Sequence, residues 1–168
     1  ADDFVVLARS MGPRLVQWLE RTLEQDLGLT VNRSKTQVVQ LSAPGTSLDF
    51  LGFTLRYERD RFGRDRRYLA VRASTRSQVR LREKLRELTR ARVKRSLADT
   101  IATVNPLVRG WKAYFRYGYP RPVFRAVNHY LQVRFRCFLR NRSQRQSRPF
   151  RQGESLYAGL HRYGLHFL

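Results

Sequence analysis

Ser74-Thr75-Arg76-Ser77-Gln78-Val79-Arg80-Leu81-Arg82-Glu83-Lys84-Leu85-Arg86-Glu87-Leu88 is the stretch on which the fold turns. Ser74 or Thr75 can cap a helix, and Val79, Leu81, Leu85 and Leu88 recur at helical spacing. The pattern predicts a helix that runs to about Arg95. It is dense in cations: Arg76, Arg80, Arg82, Lys84, Arg86, Arg90, Arg92, Lys94 and Arg95 stand against Glu83 and Glu87. Cations every three or four positions are expected on one side of a helix, where they can follow a phosphate backbone. A charge run is ordinarily a solvated face, but solvated faces mix the two signs.

Downstream, a second helical stretch is expected over residues 96–117, interrupted or kinked at Asn105-Pro106. Gly118, Pro120 and Pro122 mark a turn. A third helix follows over residues 123–142, carrying Phe124, Val127, Leu131, Phe135, Phe138 and Leu139. Residues 141–154 are polar and Arg-rich, and Tyr157-Ala158-Gly159-Leu160 closes in a short helix or turn.

Upstream the pattern differs. Asp2-Asp3 ahead of Phe4-Val5-Val6-Leu7 reads as a turn feeding a strand. With no initiator Met, this start reads as a cut through a larger sequence. Leu15, Leu19, Leu23 and Leu27 recur every four residues between Pro13 and Gly28, an amphipathic helix. A short strand is expected over residues 36–41, then a turn at Ala43-Pro44-Gly45. Residues 48–57 alternate as one strand, with Leu51, Phe53, Leu55 and Tyr57 on one face. Residues 59–67 read as a hairpin tip returning through Tyr68 to Val71. The chain is therefore expected to be α+β, divided into residues 1–73 (strands with one helix) and an all-α part over residues 74–168.

Charge follows the same division. The chain carries +21 overall. Residues 1–73 hold 12 basic and 9 acidic side chains, whereas residues 74–151 hold 21 and 3. So large an excess repels itself unless a polyanion balances it, and Arg suits bidentate phosphate contacts. Nucleic acid is therefore the leading expected partner, with an anionic membrane surface well behind. Around Trp111 the basic and aromatic residues Arg109, Lys112, Tyr114, Arg116 and Tyr117 interleave, a mixture that can stack on unpaired bases and grip phosphates. Trp111 and Phe115, four apart, read instead as core.

Other classes are disfavoured. No apolar run approaches the roughly 18–20 residues that span a bilayer, so no membrane partner is expected. A single cysteine, Cys137, excludes an internal disulfide and a thiolate zinc cage, which fits a reducing cytoplasm. His129, His161 and His166 lack zinc-ligand spacing. Cys137 among Phe135, Phe138 and Leu139 reads as a small buried residue.

Four segments in order resemble group II intron reverse transcriptase/maturases. Ala1-Asp2-Asp3-Phe4 is similar to the palm motif Tyr-Ala-Asp-Asp without its first residue. Residues 28–36, Gly-Leu-Thr-Val-Asn-Arg-Ser-Lys-Thr, resemble the motif that follows it. Phe50-Leu51-Gly52-Phe53 resembles the primer-gripping hairpin. Residues 104–111, Val-Asn-Pro-Leu-Val-Arg-Gly-Trp, with Tyr114-Phe115, resemble the thumb/maturase domain. Each motif alone is weak; the ordered set spans nearly the whole chain.

The resemblance implies a partial reverse-transcriptase palm over residues 1–73 and a helical thumb/maturase-specific domain over residues 74–168. In the intact enzyme it implies intron splicing and RNA-templated DNA synthesis, with two Mg²⁺ ions held by palm carboxylates. Asp2 would be the direct catalytic metal ligand and Asp3 a supporting acid. Lys35 would sit near the nucleotide phosphates, and Phe50, Leu51, Gly52 and Phe53 would support the primer. A third carboxylate and the fingers have no counterpart in these 168 residues, so this chain is expected to bind RNA or an RNA–DNA duplex, to hold no Mg²⁺ stably and to be inactive alone as a polymerase. Two other readings stay open: one piece of a split polymerase completed by a separate N-terminal chain, and a general basic nucleic-acid-binding module.

Overall fold

The computed structural model describes residues 4–60, 64–90, 95–141 and 150–168. Its elements are helix α1 (Pro13–Arg21), a π-helical turn (Thr22–Asp26), strands β1 (Leu48–Phe50), β2 (Phe53–Arg59) and β3 (Arg67–Ala73), and helices α2 (Thr75–Leu88), α3 (Leu97–Phe115), α4 (Arg121–Arg140) and α5 (Leu156–Arg162). The α+β class expected from the sequence is what is observed.

The leucine repeat after Pro13 does form a helix, which loosens into the π turn through a Leu27 N–H to Thr22 carbonyl bond of 3.1 Å. Gly28 ends it in the left-handed region at φ +63°, and the Leu29 N–H reaches back to the Leu23 carbonyl at 2.8 Å. No residue of α1 is buried, and Trp18 is exposed. The strands expected over residues 4–7 and 36–41 are not formed. An apolar run becomes a strand only when a neighbour completes its hydrogen-bond ladder, and the described residues offer these two segments none.

The segment 48–57 is two strands rather than one. Leu51 and Gly52 take φ of +47° and +81°, the two positive angles of a tight hairpin turn, so Phe50 pairs with Phe53. Of the face expected from alternation only Phe53 and Leu55 are half-buried, with Leu51 in the turn and Tyr57 exposed; the turn itself was hidden because Leu51 is an unusual residue for positive φ. Gly52 suits this turn through its φ of +81°, and a Cβ there would lie 2.8 Å from Ser77 Oγ, so a side chain would push on α2 where the hairpin seats. The second hairpin is as expected: β2 and β3 pair antiparallel from Phe53↔Ala73 to Arg59↔Arg67. On the sheet, Glu58 is ion-paired with both Arg56 and Arg72 at 2.5 Å. Burial pushes Glu58 up, but its bonds to Arg56, Arg72 and Tyr68 outweigh that and hold the carboxyl below its ordinary value.

Ser74 caps α2, its Oγ accepting from the Ser77 N–H at 3.2 Å. The helix stops at Leu88 rather than near Arg95. Thr89 closes it by donating to the Leu85 carbonyl at 2.6 Å, and Arg134 of α4 donates to Thr89 Oγ1 and to its carbonyl, a cation at a helix C-terminus. Leu81 and Leu85 are buried as expected, whereas Val79 is 44% exposed. Val79 lies about 160° around the helix from Leu81, on the side away from the stripe that Leu81 and Leu85 turn inward.

Ser96 and Asp99 form a reciprocal capping box at the start of α3. The Ser96 side chain and backbone hydrogen bonds hold the Asp99 carboxyl below its ordinary value. Of the interruption or kink expected at Asn105-Pro106 the interruption is not formed, and α3 is continuous through Pro106. The residues on either side, Val104 and Val108, are buried to 0% and 1% exposure, and burying each contributes about 1.5–3 kcal/mol. That offsets the roughly 3 kcal/mol a helix-interior proline costs. The turn at Gly118 is as expected: φ is +73°, and a Cβ there would lie 2.5 Å from the Val71 carbonyl oxygen.

Helix α4 supplies the largest share of the core through Val127, Leu131, Phe135 and Phe138, packed with Leu81 and Leu85 of α2 and Ile101 of α3. Cys137, expected to be buried, is only half-buried, since its neighbours Phe138 and Leu139 take the inward positions. His129, His161 and His166 are exposed. Helix α5 ends in a strap that crosses the bundle: Leu165 is buried, Asn105 holds Gly164 and His166, and Asn128 holds Leu168 through both its N–H and carbonyl.

Candidate nucleic-acid interface

Burying Leu81 and Leu85 fixes the rotation of α2, and that rotation decides where its cations point. Arg80, Lys84 and Arg90 line an open groove of about 710 Å³ between α2 and α3. Its apolar wall is Leu107, Trp111 and Phe115 of α3. Glu83 and Glu87 line the groove too. Trp111 is held in a ring cluster, 4.6 Å from Phe115 and 6.0 Å from Phe124 between centroids. A cationic rim over a fixed aromatic surface can hold phosphates and stack a base at once.

The cations of α2 do not all share one side, as the spacing had implied. Arg82 turns toward α4, where its guanidinium carbon lies 5.6 Å from the Tyr130 ring centre, and its Nε is buried without a hydrogen bond among the described residues. Arg76 and Arg86 are exposed, and Arg95 donates to Thr103 at 3.5 Å. Arg92 and Lys94 lie outside the described residues.

The interleaved set around Trp111 divides in the same way. Arg109 meets the His166 ring nitrogen Nε2, and Lys112 donates to the Phe167 carbonyl at 3.1 Å, so both grip the C-terminal strap. Tyr114 donates to the Leu51 carbonyl at 3.0 Å and stacks on Phe53 at 5.5 Å, which seats the Phe50–Phe53 hairpin against α3. Arg116 lies over the Tyr117 ring at 5.1 Å, with Tyr117 60% exposed. Phe115 is buried and Trp111 packs against the core, as their spacing had implied.

Lys35 is exposed in a turn built on Asn32, whose carbonyl accepts from the Lys35 N–H at 3.1 Å. Leu51 is exposed at the hairpin tip and Phe53 is half-buried. Asp2 and Asp3 lie outside the described residues. Among the described residues no cluster of three His, Cys, Asp or Glu side chains is placed to hold a metal ion. No described helix is long and apolar enough to cross a membrane.

Sequence reasoning missed the groove as a unit. Its signal was present: Arg80, Glu83, Lys84 and Glu87 follow the three-and-four spacing of one helix side. Nothing in the sequence paired that side with Leu107 and Trp111. The strap contacts of Asn105 and Asn128 left no signal either.

Fold and site together define an α+β protein with a strongly basic helical layer around an aromatic groove. Residues 78–155, from the first turns of α2 through α4, match the family described as group II intron, maturase-specific domain. That stretch, 78 of the 168 residues, is thus similar to a group II intron maturase C-terminal region. No curated protein matches the chain.

Proposed function

We propose that the chain binds intron RNA directly, through the groove between α2 and α3, as the RNA-binding C-terminal part of an intron-encoded reverse transcriptase/maturase. In this reading residues 74–168 are the thumb/maturase domain and residues 1–73 the end of a palm. The carrying observation is that Arg80, Lys84 and Arg90 line one groove with Trp111 and Phe115 inside the stretch that matches the maturase-specific family. The chemistry supports it: guanidinium and ammonium groups neutralise phosphates, and the ring surface tolerates any base. The Tyr114–Leu51 bond favours reading Phe50–Phe53 as the primer-supporting hairpin, carried beside the groove by the same helix.

The test is equilibrium binding of the purified chain to a group II intron RNA and to an unrelated structured RNA of equal length, at physiological ionic strength. The intron RNA should bind about tenfold tighter or more, since specific sites stand well above the electrostatic background. Equal affinities would contradict the maturase reading and leave a general basic binding module.

A further inference from the structure

Three acids stand among the 21 cations of residues 74–151: Glu83, Glu87 and Asp99. Asp99 is engaged in the α3 capping box. Glu83 and Glu87 have no such role, because neither side chain makes an ion pair or hydrogen bond among the described residues. Both line the groove. Carboxylates there weaken any purely phosphate-binding surface by repulsion. They do suit one thing that RNA presents beside its phosphates, the exocyclic amine of a base, which donates to a carboxylate acceptor.

The remaining groove residues fit the same ligand. Trp111 offers a ring surface held in place by Phe115 and Phe124, and Arg80 and Lys84 stand on the same helix as the acids. A groove of about 710 Å³ lies within the range of small-ligand sites, about 300–1,000 Å³. Bases inside an A-form duplex are out of reach of such a surface, whereas a base in a bulge or loop can be splayed out onto it.

We infer that the groove takes one unpaired nucleobase bearing an exocyclic amine, its ring on Trp111, its amine on Glu83 or Glu87, and its flanking phosphates on Arg80 and Lys84. This rests on the RNA-binding reading above and adds to it a selectivity: adenine, cytosine and guanine are accepted over uracil. The acids act as a filter. They reject bare phosphate backbone and accept only a base that brings donors to them.

The experiment uses the full chain carrying Trp18→Phe, which leaves Trp111 as the sole tryptophan. Three RNA hairpins are compared: fully paired, with one bulged adenosine, and with one bulged purine riboside, which lacks only the amine. The adenosine bulge should quench Trp111 emission saturably and bind about tenfold tighter than the purine riboside bulge, the lower end of discrimination by a good base-edge contact. The paired hairpin should bind without quenching. Adding Glu83→Ala and Glu87→Ala, which keep helix propensity, should abolish the preference for adenosine while tightening the paired hairpin. Equal binding of all three RNAs with no quenching overturns the inference and leaves the RNA-binding reading standing. Quenching that does not distinguish adenosine from purine riboside overturns the role of the two acids. Failure of every hairpin to bind removes both.

Discussion

Replacing Arg80, Lys84 and Arg90 together by Gln is expected to reduce the slope of log affinity for RNA against log salt by about 2–3 units. Each phosphate neutralised releases condensed counterions, contributing roughly 0.7 to the slope on a single strand and about 0.9 on a B-form duplex. The three side chains line one groove, so one RNA segment meets them together. Gln keeps the length and helix propensity of α2, and Leu81 and Leu85 still anchor it. The far-ultraviolet circular dichroism should be unchanged. The control is Arg9→Gln, Arg14→Gln and Arg21→Gln, three exposed positions in and before α1. A control that flattens the slope as much as the groove variant would mean that binding is diffuse.

The largest loss of stability is expected from Phe135→Ala. Phe135 is wholly buried on α4, edge-on to Phe138 at 6.4 Å, in the core shared by α2, α3 and α4. Truncating a buried phenylalanine costs about 3–5 kcal/mol, from lost transfer energy and the cavity left behind. Ordinary domains hold only about 5–15 kcal/mol in total. The denaturation midpoint should fall steeply, while Val79→Ala, at a position 44% exposed, should change it by less than about 0.5 kcal/mol. Comparable losses from the two would contradict the observed rotation of α2.

That pair of positions also shows how far the fold was legible. Val79, Leu81, Leu85 and Leu88 are all apolar and all near helical spacing, so the helix itself was plain. Which of them face inward depends on where α4 lies, and a local pattern does not contain that. Strands were harder for the same reason. β2 and β3 announced themselves through alternation on both sides of a polar turn. Residues 36–41 had similar local character and formed nothing, because a strand needs a partner that no local pattern supplies. Leu51 concealed a turn, since few sequences place leucine at positive φ.

The site was legible as chemistry and not as geometry. A surplus of arginine pointed to a polyanionic partner, and the aromatic interleaving placed attention on α3. Yet Arg109 and Lys112 proved to hold the C-terminal strap through His166 and Phe167. Their engagement depends on a chain segment more than fifty residues away in sequence. The cations that remain in the groove are those whose helix side faces Trp111. Glu83 and Glu87 looked like dilution of a basic run until the groove placed them beside that ring.

The central claim is that intron RNA lies in the groove between α2 and α3, and ultraviolet crosslinking mapped by mass spectrometry addresses it most directly. A group II intron RNA irradiated with the intact chain should give adducts at Trp111, with neighbouring adducts at the exposed Tyr114 and Tyr117. Trp18, equally photoreactive and 59% exposed on α1, should give few. Adducts concentrated at Trp18, with Trp111 unmodified, would place the RNA on the opposite part of the chain and contradict the assignment.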